Sequence, residues 1–174
     1  MEIVHTASVD SPIGMLRVAS TSEGLVYVEL PHASGRGMRG FLRRCLPGAR
    51  VEEGYATNKP ALTQIIEYIE GKRTEFDLDL DLRGTAFQLE VWTALRSIPY
   101  GQTRSYGDIA RAVERPGAVR AVGTANGANP VSLVVPCHRV IQSSGRLGGY
   151  GGGLDLKAKL LAMEQSKPSQ GSLL

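Results

Sequence analysis

Along the first thirty residues, runs of large apolar side chains alternate with clusters of turn formers. Ile3 to Val9, Gly14 to Ala19 and Gly24 to Leu30 are rich in Val, Ile, Leu and Tyr. Ser11-Pro12-Ile13-Gly14 and Ser22-Glu23-Gly24 supply turn chemistry between them, so the pattern predicts an antiparallel meander. Pro31 to Gly37 reads as a loop. From Met38 the period changes: Phe41, Leu42, Cys45 and Leu46 recur at helical spacing up to Pro47-Gly48. Leu62, Ile65, Ile66 and Ile69 mark an amphipathic helix over 59–70, closed by Gly71. Phe76, Leu78, Leu80 and Leu82 then alternate with Asp77, Asp79 and Asp81, the period of a strand with an acidic outer face.

Beyond Gly84 the pattern is mostly helical. Phe87, Val91, Trp92 and Leu95 make one face of a helix over 86–97, with Thr85 as its N-cap. Ser105 can cap a second helix through Val113, whose apolar face is Tyr106, Ile109, Ala110 and Val113. After the turn Arg115-Pro116-Gly117, a third helix is expected over 118–128. Two short helices joined by a tight turn fit a helix-turn-helix. Ala118, Ala121, Gly123, Thr124, Ala125, Gly127 and Ala128 make the third helix almost wholly small. It can therefore lie close to a partner with Arg120 projecting, or pack inside its own protein with Arg120 a mere surface charge. Asn129-Pro130 ends it, and Val131 to Val135 reads as a short buried strand. Six glycines crowd into 145–153, a local share of the chain's 21. They let backbone amides approach a ligand closely. A last helix is expected over 154–165, and 166–174 has the composition of a flexible tail.

Composition narrows the class. Hydrophobic residues make up 42%, enough for a packed core in 174 residues. The two cysteines, Cys45 and Cys137, cannot make a disulfide scaffold, and no paired Cys/His motif suggests a structural zinc site. No leader and no run near the roughly 18 apolar residues of a membrane span is read. The expectation is a cytoplasmic protein, nucleoid-associated in a prokaryote, with reduced thiols and no membrane partner. Charge is segregated. Residues 1–82 carry nine basic and twelve acidic side chains, a net −3, whereas 83–174 carry eleven and five, a net +6. An arginine-rich basic half suits nucleic acid, or is simply a solvated surface. The sign change near Gly84 suggests domains over 1–82 and 83–165, in an α+β fold.

Candidate chemistry concentrates at Pro136-Cys137-His138-Arg139-Val140. A thiol reacts as its thiolate, which neighbouring cations or a general base favour. Adjacent residues on a strand face opposite ways, so His138 reaches Cys137 only if Pro136 forces a turn, or through a water. Asn129 and Glu164 could complete a relay, the carboxylate fixing the imidazole tautomer. The same dipeptide also fits a buried structural cysteine beside a capping histidine, or a Cys-His hydrolase.

These five residues resemble the active-site signature of the O6-alkylguanine-DNA alkyltransferases, the methylated-DNA–protein-cysteine methyltransferases. The similarity continues through Phe87-Gln88, Val91-Trp92, 98–101, Ser105-Tyr106, 120–123, Asn129-Pro130, 149–153 and 160–164, in order. It implies a ribonuclease-H-like N-terminal domain and a helical, winged-helix or helix-turn-helix, C-terminal domain. It implies DNA repair by a single irreversible transfer of an alkyl group from O6 of guanine, and from O4 of thymine, after base flipping. Cys137 would be the acceptor, His138 a base acting through water, Glu164 its support, and Asn129 the tie to the helix-turn-helix. Tyr106 would contact the DNA backbone and protonate the leaving guanine. Arg120 would fill the space of the extruded base, with Ala121, Gly123 and Thr124 against the minor groove. Val140, Tyr150, Gly151, Gly152 and Ser132 would line the alkylguanine pocket. Some relatives carry serine at the position of Gly151 and proline at that of Ser132. No cofactor or metal is implied, His5, His32 and Cys45 forming no convincing zinc set, and the protein would act as a monomer on double-stranded DNA. A non-catalytic alkylated-base-binding relative is the alternative, although such proteins lack the cysteine.

Overall fold

The computed structural model describes residues 1–32 and 36–166. The expected tail lies outside them from residue 167 onward, as does the middle of the loop after Pro31. Two units divide the chain: 1–83 with 130–134, and 84–129 with the residues from 135 onward.

In the first unit the expected meander forms. Strands β1 (Ile3–Ser11), β2 (Gly14–Thr21) and β3 (Gly24–Glu29) pair antiparallel, with Val9 opposite Leu16 and Val18 opposite Val28. A fourth strand, β4 (Arg50–Glu53), pairs parallel with β1 and gives the order β3-β2-β1-β4. Its sequence, RVEE, has no apolar alternation because it is an exposed edge, so periodicity is blind to it. Helix α1 (Gly37–Cys45) places Met38 and Phe41 in a core with Val4, Ala19, Val26 and Leu46. Cys45 packs partly buried at the margin of that core. Helix α2 (Tyr55–Ile69) starts four residues earlier than its apolar stripe indicates. The reason is Asn58, which is wholly buried. Its amide donates to the carbonyls of His5 (3.0 Å) and Gly54 (2.9 Å) and accepts from the Ser20 hydroxyl (2.7 Å). A polar residue thereby anchors the first turn of α2 to β1 and β2.

Two expected strands do not form. Over 76–82 only a single bridge, Leu25 with Leu80, is made. The Gln64 side chain instead takes the place of a neighbouring strand, accepting from Asp77 N (2.9 Å) and donating to Asp77 O (3.0 Å). Asp81 is held by Arg83 at 2.8 Å, and Arg83 also reaches Glu2 at 2.6 Å. The run 131–135 is not a strand either. Val131 makes one bridge with Val28, after which the fully buried Leu133 adopts a left-handed φ of 73° that no extended run allows.

The second unit is helical. Helix α3 (Ala86–Arg96) and helix α4 (Tyr106–Ala112) each begin with a complete capping box, Thr85 with Gln88 and Ser105 with Asp108. Helix α5 (Val119–Gly127) packs on both, and the Trp92 indole donates to Ala125 O at 2.9 Å. Strands β5 (Arg104–Ser105) and β6 (Val140–Ile141) form a short parallel ladder, and α6 (Leu154–Ser166) closes the unit. Between α5 and β6 lies a 3-10 turn, Cys137–Arg139.

Asn58→Ala strips the hydroxyl of Ser20 and the carbonyl of His5 of their buried partner. It should lower the unfolding free energy by about 2–4 kcal/mol, read by urea denaturation.

Candidate active site

The reactive segment is bent by its proline. Pro136 has φ −82° and ψ 64°, and Cys137 N donates to Val135 O at 2.8 Å, the geometry of an inverse γ-turn. Arg139 N then bonds Pro136 O at 3.0 Å and closes the 3-10 turn. Cys137, His138 and Arg139 are all buried, with His138 fully so. The extended geometry that would set Cys137 and His138 on opposite faces is therefore absent.

Two asparagines at the end of α5 hold this turn. Asn129 donates to Val135 O at 2.8 Å, pinching the base of the 130–134 excursion. Asn126, itself buried, donates to Cys137 O at 3.4 Å. Burial pushes the Cys137 thiol above its ordinary value. The Asn129 side chain, the Lys157 charge and the amides of Cys137 and His138 pull the other way without reversing it. Cys137 thus rests as a thiol and needs a base.

A candidate base follows it directly in the chain. His138 Nε2 lies 2.7 Å from Glu164 Oε2. Burial pushes the imidazole down, the Glu164 hydrogen bond and charge pull it up, and the Arg139 and Lys157 charges push it down. The net fall leaves His138 neutral. Burial alone would raise Glu164, but hydrogen bonds from His138 and Arg139 outweigh it and hold the carboxyl down at about 2. An ionised Glu164 makes Nε2 the protonated nitrogen and puts the imidazole lone pair on Nδ1. Arg139 grips the same carboxylate with Nε to Oε1 (2.8 Å) and Nη2 to Oε2 (3.0 Å). Its Nη1 donates to Ile98 O at 2.8 Å, and its guanidinium sits 5.6 Å from the Tyr100 ring centre. Gly101 N adds a longer bond to Glu164 Oε1, 3.3 Å. The 98–101 motif therefore supports the carboxylate.

The other expected residues divide. The Tyr106 hydroxyl would lie 2.8 Å from a Cβ on Gly148, whose φ of +71° also demands glycine. Burial, and then the nearby Cys137, raise the Tyr106 phenol, so it stays protonated. Tyr150 stands edge-on to His138, ring centres 6.4 Å apart. Its hydroxyl is buried with no hydrogen-bond partner among the described residues, and burial lifts its pKa well above the ordinary value. Val140 is buried at the exit of the turn. Gly151 is exposed, and a Cβ there would meet nothing within 4 Å, so serine would fit as well. Gly152 is half-buried. Ser132 lies in the 130–134 segment, which belongs to the first unit. On α5, Val122, Ala125 and Asn126 face inward. Arg120, Ala121 and Thr124 are exposed, and Gly123 lies under the Tyr106 ring, 3.9 Å from its Cβ position. Ala121, Gly123 and Thr124 thus make an outward face beside Tyr106, whereas Ala125 packs within the unit.

The sequence pointed to no site role for Lys157 or Asn126, to Gly101 only as part of a turn, and to Arg139 only as a cation near the thiol. Lys157 is fully buried on α6. Among the described residues no group of three or more His, Cys, Asp or Glu side chains could hold a metal ion. No described helix is long and apolar enough to cross a membrane.

A buried thiol backed by a histidine–glutamate pair, on a unit built around a helix-turn-helix, is the equipment of a thiol group-transfer protein for nucleic acid. Known proteins sharpen that class. The ribonuclease-like domain of 6-O-methylguanine DNA methyltransferase matches residues 4–82, and the DNA-binding domain of the same family matches residues 86–166. The methylated-DNA–protein-cysteine methyltransferase of Mycolicibacterium paratuberculosis is 46% identical over 167 residues, 94% of this chain and 93% of its own. The inducible one of Bacillus subtilis is 46% identical over 153 residues, 88% and 86% respectively. The crystal structure of Mycobacterium tuberculosis OGT in complex with DNA superposes with a TM-score of 0.80 at 46% identity, covering 93% of each chain. The chain belongs to the 6-O-methylguanine DNA methyltransferase family, with an N-terminal ribonuclease-like and a C-terminal DNA-binding domain.

The relay predicts a pH dependence of stability. Glu164 is held below its ordinary 4.5, so its contribution is complete above that value and is lost as pH falls towards about 2. His138 is held below 6.5, so its contribution also declines on acidification, starting from that pH. Urea midpoints should fall steadily from pH 7 to pH 3, and Glu164→Gln should flatten the part below pH 5.

Proposed function

We propose that this protein repairs alkylated double-stranded DNA by moving an alkyl group, methyl foremost, from O6 of guanine onto Cys137 Sγ. O4 of thymine is a second substrate. The observation that carries the reading is the buried Cys137 thiol in one cluster with a neutral His138, itself bonded to Glu164. In the reaction, His138 takes the thiol proton through a water. The thiolate attacks the alkyl carbon, a C–S bond forms, and the C–O6 bond breaks with its electron pair passing into the base. The Tyr106 phenol gives its proton to the guanine ring, so the base leaves neutral, and the proton on His138 restores the phenol. A thioether in a buried site has no route back, so each molecule acts once and needs no cofactor.

O6 of a stacked guanine cannot reach a buried thiol, so the nucleotide is extruded. The exposed small face of α5 enters the minor groove, and Arg120 fills the space the base leaves. The flipped base stands against Tyr150, the amides of Gly151 and Gly152, and the carbonyls of Cys137 and Val140. The basic balance of 83–174 serves the phosphates. That a homologue, Mycobacterium tuberculosis OGT, has been crystallised with DNA supports the same partner here. The protein acts as a monomer inside the cell.

Duplex DNA labelled in the methyl group of O6-methylguanine tests the reading. One label per protein should move to Cys137 and none in Cys137→Ala. Binding without transfer would mean a lesion-binding relative, and repeated turnover would mean a hydrolase. Arg120→Ala should slow transfer from duplex DNA at least tenfold more than transfer from free O6-methylguanine, which needs no extrusion. Equal losses would remove Arg120 from that role.

A further inference from the structure

Lys157 is the one fully buried lysine among the described residues, and none of its hydrogen-bond partners is a carboxylate. Its Nζ donates to Val140 O at 2.7 Å, to Leu147 O, and to Gly149 O at 3.2 Å. Three carbonyls use all three ammonium protons. They come from two places, the exit of the reactive turn and the glycine segment that carries Tyr150. A buried ammonium among neutral groups is costly, and a methionine of like volume would serve the packing of α6 better. The charge is therefore kept for something other than the stability of α6.

We propose that Lys157 is a positioning residue for alkyl transfer: through three carbonyls it holds the glycine segment at the exit of the reactive turn, and near neutral pH that clamp keeps an ammonium beside the turn as a counter-charge for a Cys137 thiolate. The inference rests on the alkyl-transfer reading above for its purpose, but not for its test. Electrostatics agree with the geometry. Burial pushes Lys157 down to about 8, while the Cys137 charge pulls it up. In return Lys157 lowers Cys137 and also lowers His138. One charge thus favours the thiolate and keeps the base unprotonated. The titratable groups that Lys157 acts on, Cys137 and His138, both lie on the 3-10 turn, and the 147–149 segment presents it only carbonyls. Val140 O keeps a second lone pair for a base edge, so the clamp and the pocket do not compete.

Thiolate formation at Cys137, followed by ultraviolet absorbance in a Cys45→Ser background, tests this without DNA. Lys157→Met should raise the midpoint by about one pH unit, the usual effect of losing an adjacent opposite charge. It should slow transfer from free O6-methylguanine by roughly tenfold or more, a loss that the Gln variant, which keeps donors for the carbonyls, separates from the loss of the clamp. Lys157→Gln, which keeps donors but no charge, should show the same thiolate shift with a smaller loss of rate. A second measurement needs no Lys157 variant: the NMR titration of the Lys157 side chain should move to lower pH in Cys137→Ser, where no thiolate forms. An unshifted thiolate in both Lys157 variants, or an unshifted lysine in Cys137→Ser, overturns the inference. A shifted thiolate in a protein that transfers no methyl group would overturn the repair reading and leave the counter-charge standing.

Discussion

The second unit is organised around one buried carboxylate. Glu164 takes hydrogen bonds from His138, from two nitrogens of Arg139 and from Gly101 N, so α6, the reactive turn and the 98–101 turn meet on its two oxygens. Taking an ion out of water costs several kcal/mol, which only good geometry offsets. Arg139 supplies the compensating charge, and this division matters for chemistry. Were Glu164 paired with His138 alone, the pair would favour an imidazolium, which accepts no proton. With Arg139 neutralising the carboxylate, His138 can remain a neutral base whose tautomer is set by the same oxygen. The cation–π contact with Tyr100 and the bond to Ile98 O keep the guanidinium from competing for any other anion.

What was legible in the sequence depended on whether side chains or backbone carry the structure. Helices α3 and α4 were readable because Thr85 and Ser105 write their starts in side-chain chemistry and the apolar stripe writes the rest. Cys137 and His138 stood out in the sequence because a thiol, an imidazole and a cation are consecutive there. Strand β4 was not, because an exposed edge needs no apolar pattern. The alternation over 76–82 pointed to a strand whose place the Gln64 amide takes, a pairing 13 residues distant that no local period encodes. Lys157 was passed over for a related reason. A lysine in an ordinary helix reads as a solvated charge, and its carbonyl partners leave no trace in a sequence.

The glycine-dense segment was located correctly, but its glycines are not equivalent. Gly148 is required twice over, by a left-handed φ and by the Tyr106 hydroxyl 2.8 Å from where a Cβ would stand. Gly151 is in open space. A side chain at 151 is therefore sterically free, whereas one at 148 would displace the tyrosine.

The excursion 130–134 has a consequence for how this protein can be divided. The chain leaves the second unit at Asn129 and re-enters at Val135, two residues before Cys137. In between, Val28 N bonds Pro130 O at 2.8 Å, and Val131 bridges Val28. A fragment beginning at Gly84 would retain every residue of the relay and yet leave this loop without the strand that orders it. The two matched regions are separable as stretches of sequence, but not as independent pieces of matter.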